Sequence, residues 1–168
     1  EDLKEKVVLL NMVQASCPDS CSVSLWHLDQ MIYQKLRKNK KEKGKIRIIS
    51  VVTDWEGNSV DSISSVADYL KDKIEEYDPE IWMVVRGDAK PMFAHKYKNG
   101  ADLLDKGELL IGGESFTERM LLLDKENHLR MVRSGKIEAY VRETYGHIAL
   151  LLKQYDKVAY EKRKKAVK

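Results

Sequence analysis

The sequence predicts one α/β domain with a central mixed sheet flanked by helices. In the first half, short β-branched apolar runs alternate with apolar stripes at helical spacing. Helices between consecutive strands imply parallel strands with the helices lying on the sheet. In the second half, two apolar runs are separated only by Lys125-Glu126-Asn127 and precede a final helical stripe, which indicates an antiparallel hairpin followed by a helix.

Five segments have the composition of strands. They are short, rich in valine, isoleucine and leucine, and lack the spacing of a helix. The predicted strands are Lys6 to Val13, Ile46 to Val52, Ile81 to Val85, Thr117 to Asp124 and His128 to Arg133. A further stretch, 108–113, fits either a short strand or an irregular loop.

The first predicted helix runs from Pro18 or Asp19 to about Lys40. Proline is favourable in a first helical turn because its missing N–H would be unpaired there. Asp19 adds a negative charge at the positive end of the helix dipole. A lysine-rich stretch followed by Gly44 is typical of a helix end, so we expect the helix to close there.

Three more helices follow from apolar spacing. Ser59 is the expected N-cap of the second, whose stripe is Val60, Ile63, Val66, Ala67, Leu70 and Ile74. A short third helix is predicted over Pro91 to Tyr97. The last starts near Lys136, and its expected inward stripe is Ile137, Val141, Thr144, Ile148, Leu151 and Tyr155.

Length and charge limit the function classes. The 168 residues suit one domain, which we assign to 1–155, with a charged and frayed tail at 156–168. The net charge is only +3 although 34% of residues are charged, so nucleic acid is not an expected partner.

No apolar run approaches the roughly 20 residues of a membrane span. The opening Glu1-Asp2-Leu3-Lys4 lacks the features of a signal peptide, and we expect a trimmed chain whose upstream anchor is absent.

The chain's two cysteines are four residues apart, in Cys17-Pro18-Asp19-Ser20-Cys21. They follow the first predicted strand and open the first predicted helix. A helix N-terminus lowers the pKa of a thiol, and thiolates are suited to disulfide exchange or to Cu(I). Two cysteines are too few for a disulfide scaffold. We therefore predict a redox or metal-binding pair, with an inert buried pair as the alternative.

This layout is that of a thioredoxin-like domain, and the residues resemble the Sco/SenC family in particular. The similar stretches are Lys4 to Leu10, the C-P-x-x-C segment from Cys17 to Cys21, Ser50 to Asp54, Ile81 to Gly87 and Met120 to Asn127. The resemblance spans the chain from Asp2 to about Tyr155. It implies a thioredoxin-like fold ending in a hairpin and a helix.

The resemblance also implies a function. Sco/SenC proteins are membrane-tethered, face the periplasm or the mitochondrial intermembrane space, and assist copper-centre assembly in cytochrome c oxidase. Copper is bound through the two cysteines and a distant histidine. The position matching that histidine is Phe116, and the nearby Glu114 is a carboxylate that suits Cu(I) poorly. The implied metal ligands are therefore Cys17 and Cys21, with the third ligand missing.

Other polar residues have less specific interpretations. For His27, His95, His128 and His147, a surface or packed histidine is the preferred interpretation, with His27 too far from the cysteines and His128 at the far end of the sheet. Asp54 either tunes the thiols or forms an Asx turn towards Ser59. Trp55 beside it is interpreted as loop packing before a partner contact.

Three hypotheses remain open. The first is a periplasmic or otherwise extracytoplasmic Sco-like protein that exchanges disulfides and delivers Cu(I), with a thiol or disulfide protein such as a cytochrome c oxidase subunit as partner. The second is a metal-independent thiol–disulfide reductase, favoured by Phe116. The third is a non-catalytic interaction module that has kept the fold.

Overall fold

The computed structural model describes residues 3–16, 22–54, 56–89 and 119–166. Both cysteines, the predicted helix at 91–97 and the stretch 108–113 lie outside these residues. A π-helical segment, Asp29–Tyr33, separates the first two α-helices. The remaining elements are β1 (Val7–Gln14), α1 (Ser22–Leu28), α2 (Gln34–Lys38), β2 (Ile46–Thr53), α3 (Ser64–Lys73), β3 (Trp82–Arg86), β4 (Arg119–Leu123), β5 (Leu129–Ser134) and α4 (Glu138–Ala166).

The five described strands form one mixed sheet in the order β3-β2-β1-β4-β5. The pairs β1–β2 and β2–β3 are parallel, as the intervening helices require. The pairs β1–β4 and β4–β5 are antiparallel. The predicted mixed sheet, hairpin and terminal helix are confirmed, and β1 is the central strand.

Strand direction gives the sheet two distinct edges. At one, called here the carboxyl edge, β1 and β2 end with Gln14 paired to Thr53, and β4 begins where β5 ends, with Arg119 paired to Ser134. At the opposite edge, called here the amino edge, β1 and β2 begin and the β4–β5 hairpin turns. Every loop that leaves β1, β2 or β5 therefore starts at the carboxyl edge.

The main core lies between one face of the sheet and the helices. Alternate residues of β1 point into it, and Leu9 and Val13 are 0% and 1% exposed. They meet Leu28, Val66 and Ile148 from three helices in one buried cluster. Each fully buried aliphatic side chain contributes roughly 1.5–3 kcal/mol, so this cluster is the main source of stability.

Two predicted helix boundaries are wrong. The helical segment that follows the cysteines ends at Lys38, because the backbone of Asn39 is extended. Gly44 lies in the following turn and does not close the helix. Ser59 does not cap α3, which begins at Ser64. Its backbone instead forms an isolated antiparallel bridge with Thr53, and backbone pairing replaces the expected cap.

The last helix is longer than its apolar pattern suggests. It continues from Tyr155 to Ala166, so the segment predicted to fray is helical. Lys45 bonds Asp156 at 2.6 Å, which helps to hold this extension beside the start of β2. Ile137 was expected to face the core but is 47% exposed, and Leu152 takes a buried position that was not predicted. Among the described residues, no helix has the length and apolarity to cross a bilayer.

Candidate functional site

Strand β1 ends at the carboxyl edge, and in the chain the two cysteines lie between this end and the start of α1. Cys17 and Cys21 lie outside the described residues, but the chain on either side is described. The backbone N–H of Ala15 donates to the carbonyl of Thr53 at 2.9 Å. The hydroxyl of Ser65 donates to the carbonyl of Ala15 at 3.0 Å. The entry to the cysteine segment is thus fixed to both β2 and α3.

Asp54 forms an Asx turn next to this entry. One carboxylate oxygen accepts hydrogen bonds from the backbone N–H groups of Glu56 at 2.9 Å and Asn58 at 2.8 Å. The other accepts the side-chain amide of Asn58 at 3.0 Å. These bonds, chiefly those from Asn58, hold the pKa of Asp54 below its ordinary value. Of the two interpretations of Asp54, the Asx turn is the one seen in the structure.

His27 is a packed histidine at the carboxyl edge. It is buried, and its Nδ1 lies 3.0 Å from the carbonyl oxygen of Gly135, just after β5. Since a carbonyl can only accept, Nδ1 carries the proton in this contact. The bond ties the helix that follows the cysteines to the connection between β5 and α4. The sequence gives no signal for this pairing, because the two residues are 108 positions apart.

Trp26 is next to His27 and is the most exposed aromatic residue of this helix. Its ring centroid lies 5.4 Å from that of His27, and its side chain is 56% exposed. The described structure therefore has a large apolar side chain in solvent five residues after Cys21 in the chain.

Of the remaining histidines, the structure describes His128 and His147, and neither is seen near the end of β1. His147 is exposed on α4, with its Nε2 3.8 Å from Glu143. His128 lies at the amino edge, as predicted. His95 lies outside the described residues, as do Glu114, Phe116 and Trp55. Phe116 precedes by three positions the first residue of β4, which starts at the carboxyl edge.

At the amino edge, Asp124, Glu126 and His128 form a separate cluster. Their potential ligand atoms lie within 4.8 Å of one another. However, the buried carboxylate of Asp124 already accepts bonds from the backbone N–H groups of Glu126 and His128, at 2.8 and 2.9 Å, and from Arg130 at 2.6 Å. Burial alone would raise the pKa of Asp124, but these bonds and the Arg130 charge hold it below its ordinary value. The three side chains thus belong to a turn that is held by hydrogen bonds to Asp124. Two of the three are carboxylates, which suit Cu(I) poorly.

The π-helical segment interrupts the helix that follows the cysteines. Asp29, at its start, is only 4% exposed. Its two carboxylate oxygens accept amide hydrogen bonds from Gln34 at 2.8 Å and Gln30 at 2.6 Å. Gln34 in turn donates to the carbonyl of Glu75 at 3.1 Å. Local π-helical turns occur frequently at functional sites, and this one lies on the helix that the cysteine segment enters.

The fold is similar to those of several proteins of known structure. A SCO1/SenC family lipoprotein from Bacillus anthracis superposes with a TM-score of 0.58 at 17% identity, over 89% of this chain and 83% of that one. ScoI from Bradyrhizobium japonicum, solved with copper bound, gives 0.53 at 21% identity, over 89% and 87%. The chain has a Sco-like, thioredoxin-like fold.

Thioredoxin-like proteins of other kinds share it. A putative protein disulfide isomerase from Bacteroides thetaiotaomicron gives a TM-score of 0.56 at 16% identity, over 90% of this chain and 76% of that one. No protein-family model and no curated protein matches the sequence. The neighbours of the Sco-like fold thus include a copper-bound protein and a putative disulfide isomerase.

Proposed function

We propose that the chain is a Sco/SenC-type protein whose Cys17 and Cys21 exchange thiols and disulfides with a partner protein. The supporting observation is the position of the C-P-x-x-C segment in the chain. It lies in the chain between the central strand β1 and helix α1 of a Sco-like fold. At the carboxyl edge, Ala15 before it bonds Thr53, and His27 after it bonds Gly135. Ligand and reactive sites of open α/β sheets typically lie outside the carboxyl ends of the strands.

The proposed reaction divides the work between the two thiols. The Cys17 thiolate attacks one sulfur of a partner disulfide, forming a mixed disulfide and releasing the other sulfur as a thiolate. The Cys21 thiolate then attacks Cys17 Sγ, closing the Cys17–Cys21 disulfide and releasing the second partner thiolate. Two electrons pass to the partner, which also takes up the two protons that the cysteine pair loses.

Cysteine variants test this order. Cys21→Ser should trap a covalent mixed disulfide with a model disulfide substrate, because no second thiolate can resolve it. Cys17→Ser, the matched control, should give little or no trapped species. Mass spectrometry under non-reducing conditions measures both. Equal trapping by the two variants would refute the assigned roles, and an unreactive native pair would refute the proposed function.

Cu(I) is the proposed cargo of a second activity. Two thiolates can bind Cu(I), and a Sco-like neighbour was solved with copper bound. Phe116 in place of the histidine implied by the resemblance predicts weak or transient binding. Titration of the reduced protein with Cu(I) against a competing chelator measures it. Phe116→His should tighten binding, whereas unchanged affinity would mean that position 116 is not the ligand position.

The two alternatives make different predictions. A metal-independent reductase requires both cysteines but binds no stoichiometric Cu(I). A non-catalytic module requires neither, so Cys17→Ser would leave the cellular phenotype unchanged.

The proposed partner is a thiol or disulfide protein such as a cytochrome c oxidase subunit, in the periplasm or another extracytoplasmic space. Loss of the gene should then lower oxidase activity, and added copper should restore part of it.

A further inference from the structure

The outer face of α4 carries an exposed stripe of apolar and basic residues. Leu150, Lys153, Lys157, Tyr160 and Lys164 are spaced by three, four, three and four residues, which places them on one side of the helix. Leu150 and Tyr160 are each 65% exposed, and the three lysines are also exposed. This set is called here the α4 stripe.

The fold does not account for the α4 stripe. The core face of α4, with Val141, Ile148 and Leu152 buried, lies on the opposite side of the helix. No hydrogen bond or ion pair joins the three stripe lysines to another described residue. Two acidic residues lie on the same turns: Asp156 is bonded to Lys45, and the exposed Glu161 lies on the side of the stripe, four residues after Lys157. With three lysines and one glutamate, this side of the helix is net basic, and its lysines have no ion-pair partner among the described residues.

We propose that the α4 stripe binds an anionic phospholipid surface. Lysines near such a surface are attracted to its negative headgroups, and tyrosine favours the interface between headgroups and acyl chains. Lysine stems can cover apolar surface while their ammonium groups reach the phosphates. A second copy of this chain is a poorer occupant, because each stripe has three lysines for the one Glu161, so pairing two stripes would leave lysines against lysines.

The position of the stripe suits a surface-bound dithiol protein. Helix α4 begins just after Gly135, at the carboxyl edge. Its second half reaches the amino edge, where Asp156 bonds Lys45 before β2. The stripe thus lies towards the end of the molecule away from the cysteine segment. Lipid binding through it would leave the carboxyl edge open to a partner.

Vesicle co-sedimentation of the purified chain tests the proposal. Vesicles of equal parts phosphatidylcholine and phosphatidylglycerol should bind the protein at low salt, and vesicles of phosphatidylcholine alone should not. The double variant Lys157→Gln/Lys164→Gln should bind about thirtyfold more weakly, since each lysine near an anionic surface contributes on the order of fivefold. The matched control Lys71→Gln/Lys73→Gln removes the same charge from α3 and should change binding little.

Three outcomes would overturn the proposal. They are absence of binding to the anionic vesicles at low salt, equal binding of both vesicle types, and equal weakening by the stripe and control variants. Binding to a DNA duplex without binding to vesicles would replace lipid with nucleic acid as the ligand. Circular dichroism establishes that each variant is folded. The measurement is independent of the cysteines, so it stands or fails separately from the proposed dithiol chemistry.

Discussion

Replacing Asp124 with alanine should destabilise the β4–β5 hairpin, and with it the whole domain. The carboxylate is 1% exposed, accepts hydrogen bonds from the backbone N–H groups of Glu126 and His128 and from Arg130, and lies 3.3 Å from His128 Nδ1. Hydrogen bonds to a charged group contribute about 1.5–3 kcal/mol each when buried. In the variant, water can reach the freed N–H groups of the turn, and Arg130 is already 48% exposed, so the full sum does not apply. We expect a loss of about 3 kcal/mol in the free energy of unfolding.

Asp124→Asn is the matched control, because its amide oxygen can still accept the backbone bonds of the turn. The negative charge and the bond from Arg130 are lost, because an NH2 group replaces the Oδ2 that accepts it, and we expect about half the loss seen with alanine. Urea denaturation followed by tryptophan fluorescence measures both variants. Equal losses for asparagine and alanine, or a loss below about 0.5 kcal/mol for alanine, would refute the assignment of stability to these bonds.

The pH dependence gives a second check on the same carboxylate. The pKa of Asp124 is lowered in the folded chain, so its contribution is fully present above the unfolded pKa of about 3.9. That contribution is lost as the pH falls through the lower folded value. The stability difference between the native protein and Asp124→Asn should therefore shrink below about pH 4. A difference that does not change with pH would contradict this account.

Two further substitutions test buried polar contacts by the same denaturation assay. Ser50→Ala should cost about 2–3 kcal/mol, because the buried Ser50 hydroxyl accepts the indole N–H of Trp82 at 2.8 Å and donates to Asn11 at 2.8 Å, and both partners would be left unpaired; a loss within 0.5 kcal/mol of zero, on the order of a surface change, would contradict it. His27→Phe keeps a ring in place but leaves the Gly135 carbonyl without its donor, so we expect a loss of about 1 kcal/mol and a melting temperature lower by about 2–4 °C. An unchanged melting temperature would show that the bond adds no net stability.

Local patterns were sufficient to predict much of the fold. The strand formed by Ile46–Thr53 and the turn at Lys125-Glu126-Asn127 follow from composition and turn chemistry, since Asn127 has a positive φ of 64°. The failures involve contacts between distant residues. Ser59 was expected to cap a helix, but its backbone pairs with Thr53. A cap and a strand bridge use the same local residues, and only the tertiary arrangement decides between them.

At the candidate site, the reactive cysteine pair stays a prediction, because both cysteines lie outside the described residues. The cysteine spacing, together with a strand before it and a helix after it, predicts a reactive pair at a sheet edge. The Asx turn of Asp54 also follows from its own loop sequence. The bond from His27 to Gly135 could not be predicted, because it depends on how α1 packs beside the end of β5. The helical extension to Ala166 was missed because charged residues there have no apolar periodicity, although they are compatible with a helix.

The π-helical segment sets the rotational phase between the two halves of the helix that follows the cysteines. Leu25 lies before it and Leu36 after it, and both are buried in the same core. A π turn holds one more residue than an α turn, so removing the exposed Gln30 would restore a regular helix. With Leu36 held in the core, the half before the deletion would turn by about 100° around the helix axis. The rotational orientation of α1, the helix that follows the cysteines in the chain, therefore depends on the one extra residue of the π turn.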